Sequence, residues 1–284
     1  MIRISFPLSK PSLVTARNTR QARRELFPPL PVTKIPSPHR AAFTLIELLV
    51  VIVIIAILAG LSMAAFSRVR ENGNRVACVS NLRQIHALVS HFASDNDGAL
   101  PIGYRLGQKQ FNTTLFTSTG NKYVLLGRLI SGGLATDPRV LFCPSERDHT
   151  QSFNTKENPW PVAGQNLQGA FGTNPIVDWG TEDAPPEWPK LTQLGRVPLA
   201  ADGVGLQKHV DSRHKDGVNV VYTDGSARWV PLESEWTDDT SSSGQTYNFK
   251  TLLSGCTSIG AGNNEAQDHI WQVLTDPRTP EKKK

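Results

Sequence analysis

The longest apolar stretch of the chain begins at Phe43 and ends at Phe66, and its 24 residues contain one charged side chain, Glu47. A helix of that length rises about 36 Å, enough to cross the roughly 30 Å hydrocarbon core of a bilayer with some tilt. A buried core helix of a soluble domain is rarely so long or so uniformly apolar. The pattern therefore predicts one membrane-spanning helix near the N-terminus.

After this stretch, hydrophobic residues recur on one helical face at spacings of seven, three or four residues. These positions are Val69, Val76, Val79, Leu82, Ile85, Val89 and Phe92. Their period indicates that an amphipathic helix continues the span and packs one face on a domain. Turn residues at positions 95–98 then predict the end of the helix, so we expect one helix over residues 43–95.

The remainder of the chain predicts short strands and irregular loops. Two apolar runs, at residues 218–222 and 227–230, flank Asp224 and Gly225 and predict a β-hairpin with a type I′ turn. Residues 197–201 predict a further strand. We expect an α+β fold in which the long helix packs on a small, loop-rich antiparallel sheet, with a mobile surface tail after residue 235.

These patterns divide the chain into five segments. They are a basic leader at 1–42, a transmembrane and assembly helix at 43–66, its amphipathic outer half at 67–97, a β domain at 98–235 and a C-terminal extension at 236–284.

The positive charge of the chain belongs to the leader. Residues 1–42 contain eight basic residues and one acidic residue, net +7, which leaves 22 basic and 24 acidic residues in the rest. The basic composition therefore gives no support for nucleic-acid binding by the folded domain. Because the side richer in Lys and Arg stays in the cytoplasm, we expect a single-pass protein of the cytoplasmic membrane with its C-terminal domain outside.

Glu47 is the one unusual residue of the span. A carboxylate within a hydrocarbon layer costs up to about 2.5–3.5 kcal/mol near the centre and less near an edge, so it should have a partner. The alternative is that Glu47 extends to the cytoplasmic interface and needs none.

Residues 41–52 carry a motif, Ala-Ala-Phe-Thr-Leu-Ile-Glu followed by five apolar residues. It resembles the class III signal of type IV prepilins and type II secretion pseudopilins, although that family usually has Gly where Ala42 stands. The resemblance implies cleavage between Ala42 and Phe43 by a prepilin peptidase, N-methylation of Phe43, and pairing of its amine with Glu47 of a neighbouring subunit. It also implies membrane lipid, other pilin-like subunits and the inner-membrane secretion or pilus assembly machinery as partners.

Two alternatives stay open. An ordinary secretory signal, with an apolar core at residues 48–59 and a cleavage site after Ala64, would release a soluble protein, but it leaves Glu47 unexplained. A membrane-tethered binding protein or hydrolase that never polymerises would instead use the outer domain, through Trp160, Trp179 and Trp188 on a glycan or through His214 and Asp224 in hydrolysis.

A second resemblance lies near the C-terminus, where nine residues separate His214 from Asp224-Gly225. This element is similar to the H-x9-DG element of a prepilin-like family abundant in Planctomycetes and Verrucomicrobia. In that family it accompanies a helix like residues 81–85 and a Cys-Pro-Ser segment like residues 143–145. The role of His214, Asp224 and Gly225 stays open, with a turn and a backbone hydrogen bond from His214 as the simplest interpretation.

The remaining candidates are cysteines and metal ligands. Cys78 and Cys143 could form a disulfide or stay as two thiols, while Cys256 has no evident partner. His209, Asp211, His214 and Asp216 are weak candidates for a metal site, and Asp95 and Asp97 for a calcium loop. No common catalytic motif occurs in the sequence, so we predict neither an enzyme nor a cofactor.

Overall fold

The structure is a computed structural model that describes residues 43–162, 164–182, 184–239 and 244–277. Within the first helix, the side chains of residues 64, 65, 67 and 68 are not described. The predicted leader, including Ala42, and the lysine-rich C-terminus lie outside the described residues.

The N-terminal helix, α1, runs without interruption over Leu45–Asp95, which confirms the single helix predicted for residues 43–95. It ends at the predicted turn, where Gly98 has a φ of 81° and its N–H donates to the carbonyl of Ala93 at 2.7 Å. A left-handed glycine at this position satisfies carbonyls that the last helical turn leaves free.

The chain divides into two units, with the boundary between Ala56 and Ile57. In the first unit, every described residue from Leu45 onward is helical and exposed. The one candidate membrane span among the described residues is Leu45–Met63, and none of its side chains is buried.

The second unit continues α1 and adds short helices and strands. The helices are α2 (Arg128–Ser131), α3 (Gln207–Ser212), α4 (Phe249–Gly255) and α5 (Asn264–Thr275). The strands are β1 (Thr114–Thr117), β2 (Lys122–Tyr123), β3 (Leu167–Gln168), β4 (Phe171–Thr173), β5 (Pro198–Asp202), β6 (Gly217–Tyr222), β7 (Ala227–Pro231), β8 (Glu235–Thr237) and β9 (Thr246–Asn248). The architecture is α+β, as the sequence predicts.

All strand pairs are antiparallel, in sheets ordered β2-β1-β3, β4-β5-β6-β7 and β8-β9. The four-stranded sheet contains the two predicted features, the strand at residues 197–201 and the hairpin around Asp224-Gly225. Its central strand, β6, is buried along its whole length, which explains the nearly continuous apolar run in the sequence.

One face of this sheet shares a hydrophobic core with α1. The buried stripe of α1 consists of Cys78, Leu82, Ile85, Val89 and Phe92, and it joins a cluster that includes Phe171, Leu199 and Val221. The stripe alternates steps of four and three residues, so in the N-terminal direction it continues to Arg75 and Glu71. The sequence prediction is wrong for Val69 and Val76, which lie off this stripe and are exposed.

The other face of the sheet is covered by the C-terminal extension. Val218, Val220 and Tyr222 of β6 belong to a second core cluster that includes Ile270 and Leu274 of α5. The prediction of a mobile tail after residue 235 is therefore wrong for the described part of this segment. The apolar positions of α5 recur at three- and four-residue spacings, which predict a helix. This short pattern follows Ser- and Gly-rich loops, so the sequence of the whole segment predicts a tail.

The three tryptophans proposed as a glycan-binding face do not form one. Trp179 is buried and donates its indole N–H to the carbonyl of Ile102 at 3.0 Å. Trp160 and Trp188 are partly buried against the first core cluster. These tryptophans pack into the unit, as the position of all three among loop residues favours over a sugar-binding surface.

Replacing Ile270 by Ala tests whether α5 is an integral part of the second unit. Ile270 is fully buried, so the substitution should lower the free energy of unfolding by about 2–5 kcal/mol. Urea unfolding of the full chain in detergent, followed by tryptophan fluorescence, measures this change. Gln272→Ala, on the exposed side of the same helix, should change it by less than about 0.5 kcal/mol. Equal effects of the two substitutions would contradict the packing of α5.

Candidate functional site

The start of α1 places Glu47 next to Thr44. The Glu47 side chain accepts hydrogen bonds at Oε2 from the Thr44 N–H and from the Thr44 hydroxyl, both at 2.8 Å. The Glu47 N–H in turn donates to Thr44 Oγ1 at 3.3 Å. This reciprocal pattern is a capping box, which satisfies backbone donors that the first helical turn leaves free. The carboxylate therefore has hydrogen-bond donors inside its own chain, in addition to the neighbour's amine that the resemblance implies.

His214 lies in the turn between α3 and β6 and is buried. Its Nδ1–H donates to Oε1 of Glu71 on α1 at 2.6 Å. With its hydrogen on Nδ1, the ring turns the lone pair of Nε2 toward Cys143 Sγ and Asp202 Oδ2, both at 3.6 Å, and toward the Asn219 amide nitrogen at 3.4 Å. The expected backbone hydrogen bond from His214 is thus wrong, since a carboxylate accepts it.

Glu71 is held on two sides. Arg75, one turn along α1, donates to the same carboxylate oxygen at 3.3 Å and to the carbonyl of His214 at 3.1 Å. Partial burial of Glu71 opposes ionisation, but the hydrogen bonds from His214 and Arg75 and the positive charge of Arg75 lower its pKa. The Arg75 guanidinium also lies over the Trp229 ring at 4.1 Å, so α1 and the hairpin are joined by polar as well as apolar contacts.

Asp202, at the end of β5, is the other carboxylate near His214. Its Oδ2 accepts hydrogen bonds from the Asn219 backbone N–H at 2.7 Å and from the Asn219 side-chain amide at 3.0 Å. Its Oδ1 is buried and has no hydrogen-bond partner among the described residues. Burial raises the pKa of Asp202 above its ordinary value.

Cys78 and Cys143 form a disulfide beside this cluster, and their Cα atoms are 5.4 Å apart. The bond links α1 to the loop after residue 141 across a sequence separation of 65 residues. In the chain-entropy description, a loop of that length contributes about 4 kcal/mol to the free energy of unfolding. Cys256 is a buried thiol without a disulfide partner.

Asp224 and Gly225 form the tip of the β6–β7 hairpin. The Gly225 N–H donates to the carbonyl of Tyr222 at 2.9 Å and Gly225 has a φ of 80°, whereas Asp224 is outside the positive-φ region. A type I′ turn needs positive φ at both residues, so that predicted turn type is wrong. Asp224 instead accepts hydrogen bonds from Ser226 N–H at 2.9 Å and from Arg196 at 3.1 Å.

His214 and Asp224 do not meet. One residue precedes β6 and the other follows it, so the six-residue strand separates them by about 20 Å. The arrangement does not bring the two ends of the H-x9-DG element into one catalytic pair.

The predicted metal ligands are also separated. Asp211 and Asp216 are exposed, and buried His209 faces the Gln151 side chain at 3.4 Å. Among the described residues, His214 groups with Cys78, Cys143 and Asp202. The prediction of one site from the four neighbouring residues is wrong because α3 and the following turn direct their side chains apart. Asp97 pairs with Lys190, and Asp95 with His91, so the proposed calcium loop gains no support.

Comparison with known proteins bears on the N-terminal segment. Residues 37–63 match a family model described as the prokaryotic N-terminal methylation motif. No curated protein and no solved structure matches the chain.

This match supports a pilin- or pseudopilin-like protein with a prepilin-type signal. The motif implies processing by a prepilin peptidase and association with other pilin subunits. Together with the apolar span at Leu45–Met63, it indicates a single-pass, membrane-anchored protein.

Sequence reasoning missed Glu71, Asp202 and Asn219. Glu71 precedes Cys78 by seven residues, or two helical turns, and this spacing was the available signal that both occupy one face. Asp202 directly follows the strand predicted at residues 197–201, a position that by itself indicates only a turn. Its contact with His214 depends on the pairing of β5 with β6, which no local pattern specifies.

Gly225→Ala tests the hairpin tip. A side chain at φ 80° is strained, and its Cβ would lie 3.0 Å from the His86 ring. The free energy of unfolding should therefore fall by about 1–3 kcal/mol. Gly255→Ala is the matched control, because Gly255 has open space and no positive φ, and it should be neutral or slightly stabilising. Urea midpoints of the two variants measure the difference, and a neutral Gly225→Ala would contradict the described turn.

His209 should make stability depend on pH. Burial, aided by the positive charges of Arg213 and Lys208, lowers the pKa of His209 to about 3. In the unfolded chain the pKa is about 6.5, so below that pH the unfolded state binds a proton that the folded state does not, and stability falls as pH decreases. Between pH 7 and pH 5 the loss from this group is about 2 kcal/mol.

Comparing wild type with His209→Gln at both pH values measures that loss. The variant should lose about 2 kcal/mol less than wild type on acidification, because it lacks the titrating ring. A difference between the two proteins that does not change with pH would contradict the burial of a neutral His209.

Proposed function

We propose that this chain is a pilin-like structural subunit, cleaved between Ala42 and Phe43, N-methylated at Phe43, and assembled through α1 into a type II secretion pseudopilus or a type IV-like pilus. The observation that carries the proposal is the family match over residues 37–63, which coincides with the Phe-Thr-Leu-Ile-Glu motif.

The exposed apolar surface of the span supports assembly through this helix. All the large hydrophobic side chains described from Phe43 to Met63 are exposed in the single chain, which is suitable for lipid before assembly and for neighbouring helices afterwards. The core of the second unit does not use these side chains, so release of the helix from lipid would not unfold that core.

Glu47 would select the register between subunits. Cleavage gives Phe43 an α-amine with an ordinary pKa near 7.7–8.0, which is cationic at neutral pH. Both Thr44 donors use Oε2 of Glu47, and this leaves Oε1 for a cation from a neighbour. In a medium of low dielectric constant, any other register leaves both groups without an opposite charge nearby, so the pair favours one stagger.

The orientation belongs to the same proposal. The leader, with its net charge of +7, would stay in the cytoplasm, and the second unit would lie in the periplasm or outside the cell. The Cys78–Cys143 disulfide supports this placement, because disulfides persist in oxidising compartments outside the cytoplasm.

Glu47→Gln and Thr44→Ala separate the two roles of the helix start. Glutamine preserves the capping box but removes the charge, whereas Thr44→Ala removes the cap and keeps the charge. We expect Glu47→Gln to abolish assembly while cleavage continues, and Thr44→Ala to permit assembly with a cost of about 1 kcal/mol in helix stability. Filament recovery after shearing, with immunoblotting of the subunit, measures assembly.

Mass spectrometry of the mature N-terminus tests processing in the same samples. We expect N-methylated Phe43 in wild type and in both variants. A native, working chain that retains Met1, or one that begins at Ala65, contradicts the proposed processing. Normal function of Glu47→Gln would assign Glu47 to capping alone and favour a membrane-tethered protein that does not polymerise.

A further inference from the structure

The buried cluster around His214 has no role in the proposed function. The cluster has four members, one from each of four segments, and all are buried. They are Cys78 on α1, Cys143 in the loop after residue 141, Asp202 at the end of β5 and His214 in the turn before β6. One ligand atom from each lies within 4.8 Å of the others. Two cysteines, one histidine and one carboxylate form a donor set that suits Zn²⁺.

The His214 ring is oriented as a metal ligand would be. Glu71 accepts the hydrogen of Nδ1 at 2.6 Å, so the tautomer is fixed and the lone pair of Nε2 points into the cluster. Metal-binding histidines almost always donate the other ring N–H to a carboxylate, carbonyl or water in this way.

Asp202 provides a second, independent indication. Asn219 holds Oδ2 with two hydrogen bonds, while Oδ1 is buried without a hydrogen-bond partner among the described residues. A buried carboxylate oxygen with no donor is unfavourable, and a cation bound by the Asp202 carboxylate beside His214 would offset that cost.

Two distances between donors fit tetrahedral coordination, and the two sulfur atoms, which are bonded to each other in the disulfide, would move apart on reduction. With Zn–N near 2.0–2.1 Å and Zn–S near 2.3 Å, the donor atoms of a tetrahedral site lie about 3.4–3.8 Å apart. Nε2 of His214 lies 3.6 Å from Cys143 Sγ and 3.6 Å from Asp202 Oδ2.

We propose that Cys78, Cys143, His214 and Asp202 bind one Zn²⁺ when the two cysteines are reduced, and that the disulfide is the alternative state of the same cluster. Four protein ligands in a buried site leave no open position, so the metal would be structural. Binding to the two thiols releases two protons.

Oxidation would exchange the metal for the disulfide. The two thiolates give up two electrons and form the Sγ–Sγ bond, and Zn²⁺ leaves. An oxidant of the disulfide class accepts the two electrons, its S–S bond breaks, and with two protons from water it becomes two thiols. Both the zinc-bound state and the disulfide link α1 to the loop after residue 141. The helix would therefore be held in place before and after oxidation.

The test uses the full chain in detergent with Cys256→Ser, so that Cys78 and Cys143 are the only thiols. After reduction with dithiothreitol and anaerobic desalting, we expect one tightly bound Zn²⁺ per chain. Co²⁺ used as a probe should give a thiolate charge-transfer band and the strong visible absorption of a tetrahedral site. Oxidised glutathione should then release one Zn²⁺ and restore the disulfide.

Three variants test His214 as a ligand, Glu71 as its outer hydrogen-bond partner, and His209 as a control. Loss of an outer hydrogen-bond partner weakens metal binding about 10- to 100-fold, and we expect a loss of this size for Glu71→Gln. His214→Gln removes a ligand itself and should weaken Zn²⁺ binding by more than that. His209→Gln, outside the cluster, should bind as the parent does. Recovery of the Cys78–Cys143 disulfide on oxidation shows that each variant keeps the local fold.

Several results would overturn the proposal. They are a reduced parent chain that binds less than one Zn²⁺, a cobalt complex without thiolate charge transfer, and unchanged affinity in His214→Gln. Equal binding by a chain in which both Cys78 and Cys143 are serine would also overturn it, because the metal would then be held elsewhere. Zinc binding and the cobalt spectrum of the parent chain test the proposal even if a variant does not fold.

Discussion

The contact between the second half of α1 and one face of the four-stranded sheet determines the arrangement of the second unit. A single helix has to suit two environments, because its first half is apolar on every side and its second half has one apolar stripe. The stripe from Cys78 to Phe92 buries against Phe171, Leu199 and Val221. At the membrane-proximal end, the same stripe becomes polar at Arg75 and Glu71, and hydrogen bonds replace hydrophobic contact.

That change of character explains why a buried polar cluster lies beside the core. Glu71 reaches the turn before β6, where His214 is fixed between it and the end of β5. The cysteine pair closes the same region covalently. Apolar packing sets which face of α1 meets the sheet, while the directional contacts of Glu71 and Arg75 with His214 set the position along it. A buried polar network of this kind favours one arrangement over its neighbours, because each alternative leaves groups without partners.

The proposed assembly role and the proposed metal site use different halves of α1. In the first half, Glu47 and the apolar surface would be completed by lipid and by other subunits. In the second half, a cross-link through sulfur or through zinc would keep the sheet attached when the first half leaves the membrane.

The sequence by itself determined the apolar span, the continuous helix to Asp95, the processing motif and the hairpin around Asp224-Gly225. Each of these depends on local periodicity or on residues adjacent in the chain, where the physical cause lies within a few turns of helix or one hairpin. The tertiary structure alone decided that α5 covers the second face of the sheet and that His214 meets Glu71 and Asp202. Those contacts join residues 12 to 143 positions apart, and strand order and helix packing, which local patterns do not specify, bring them together.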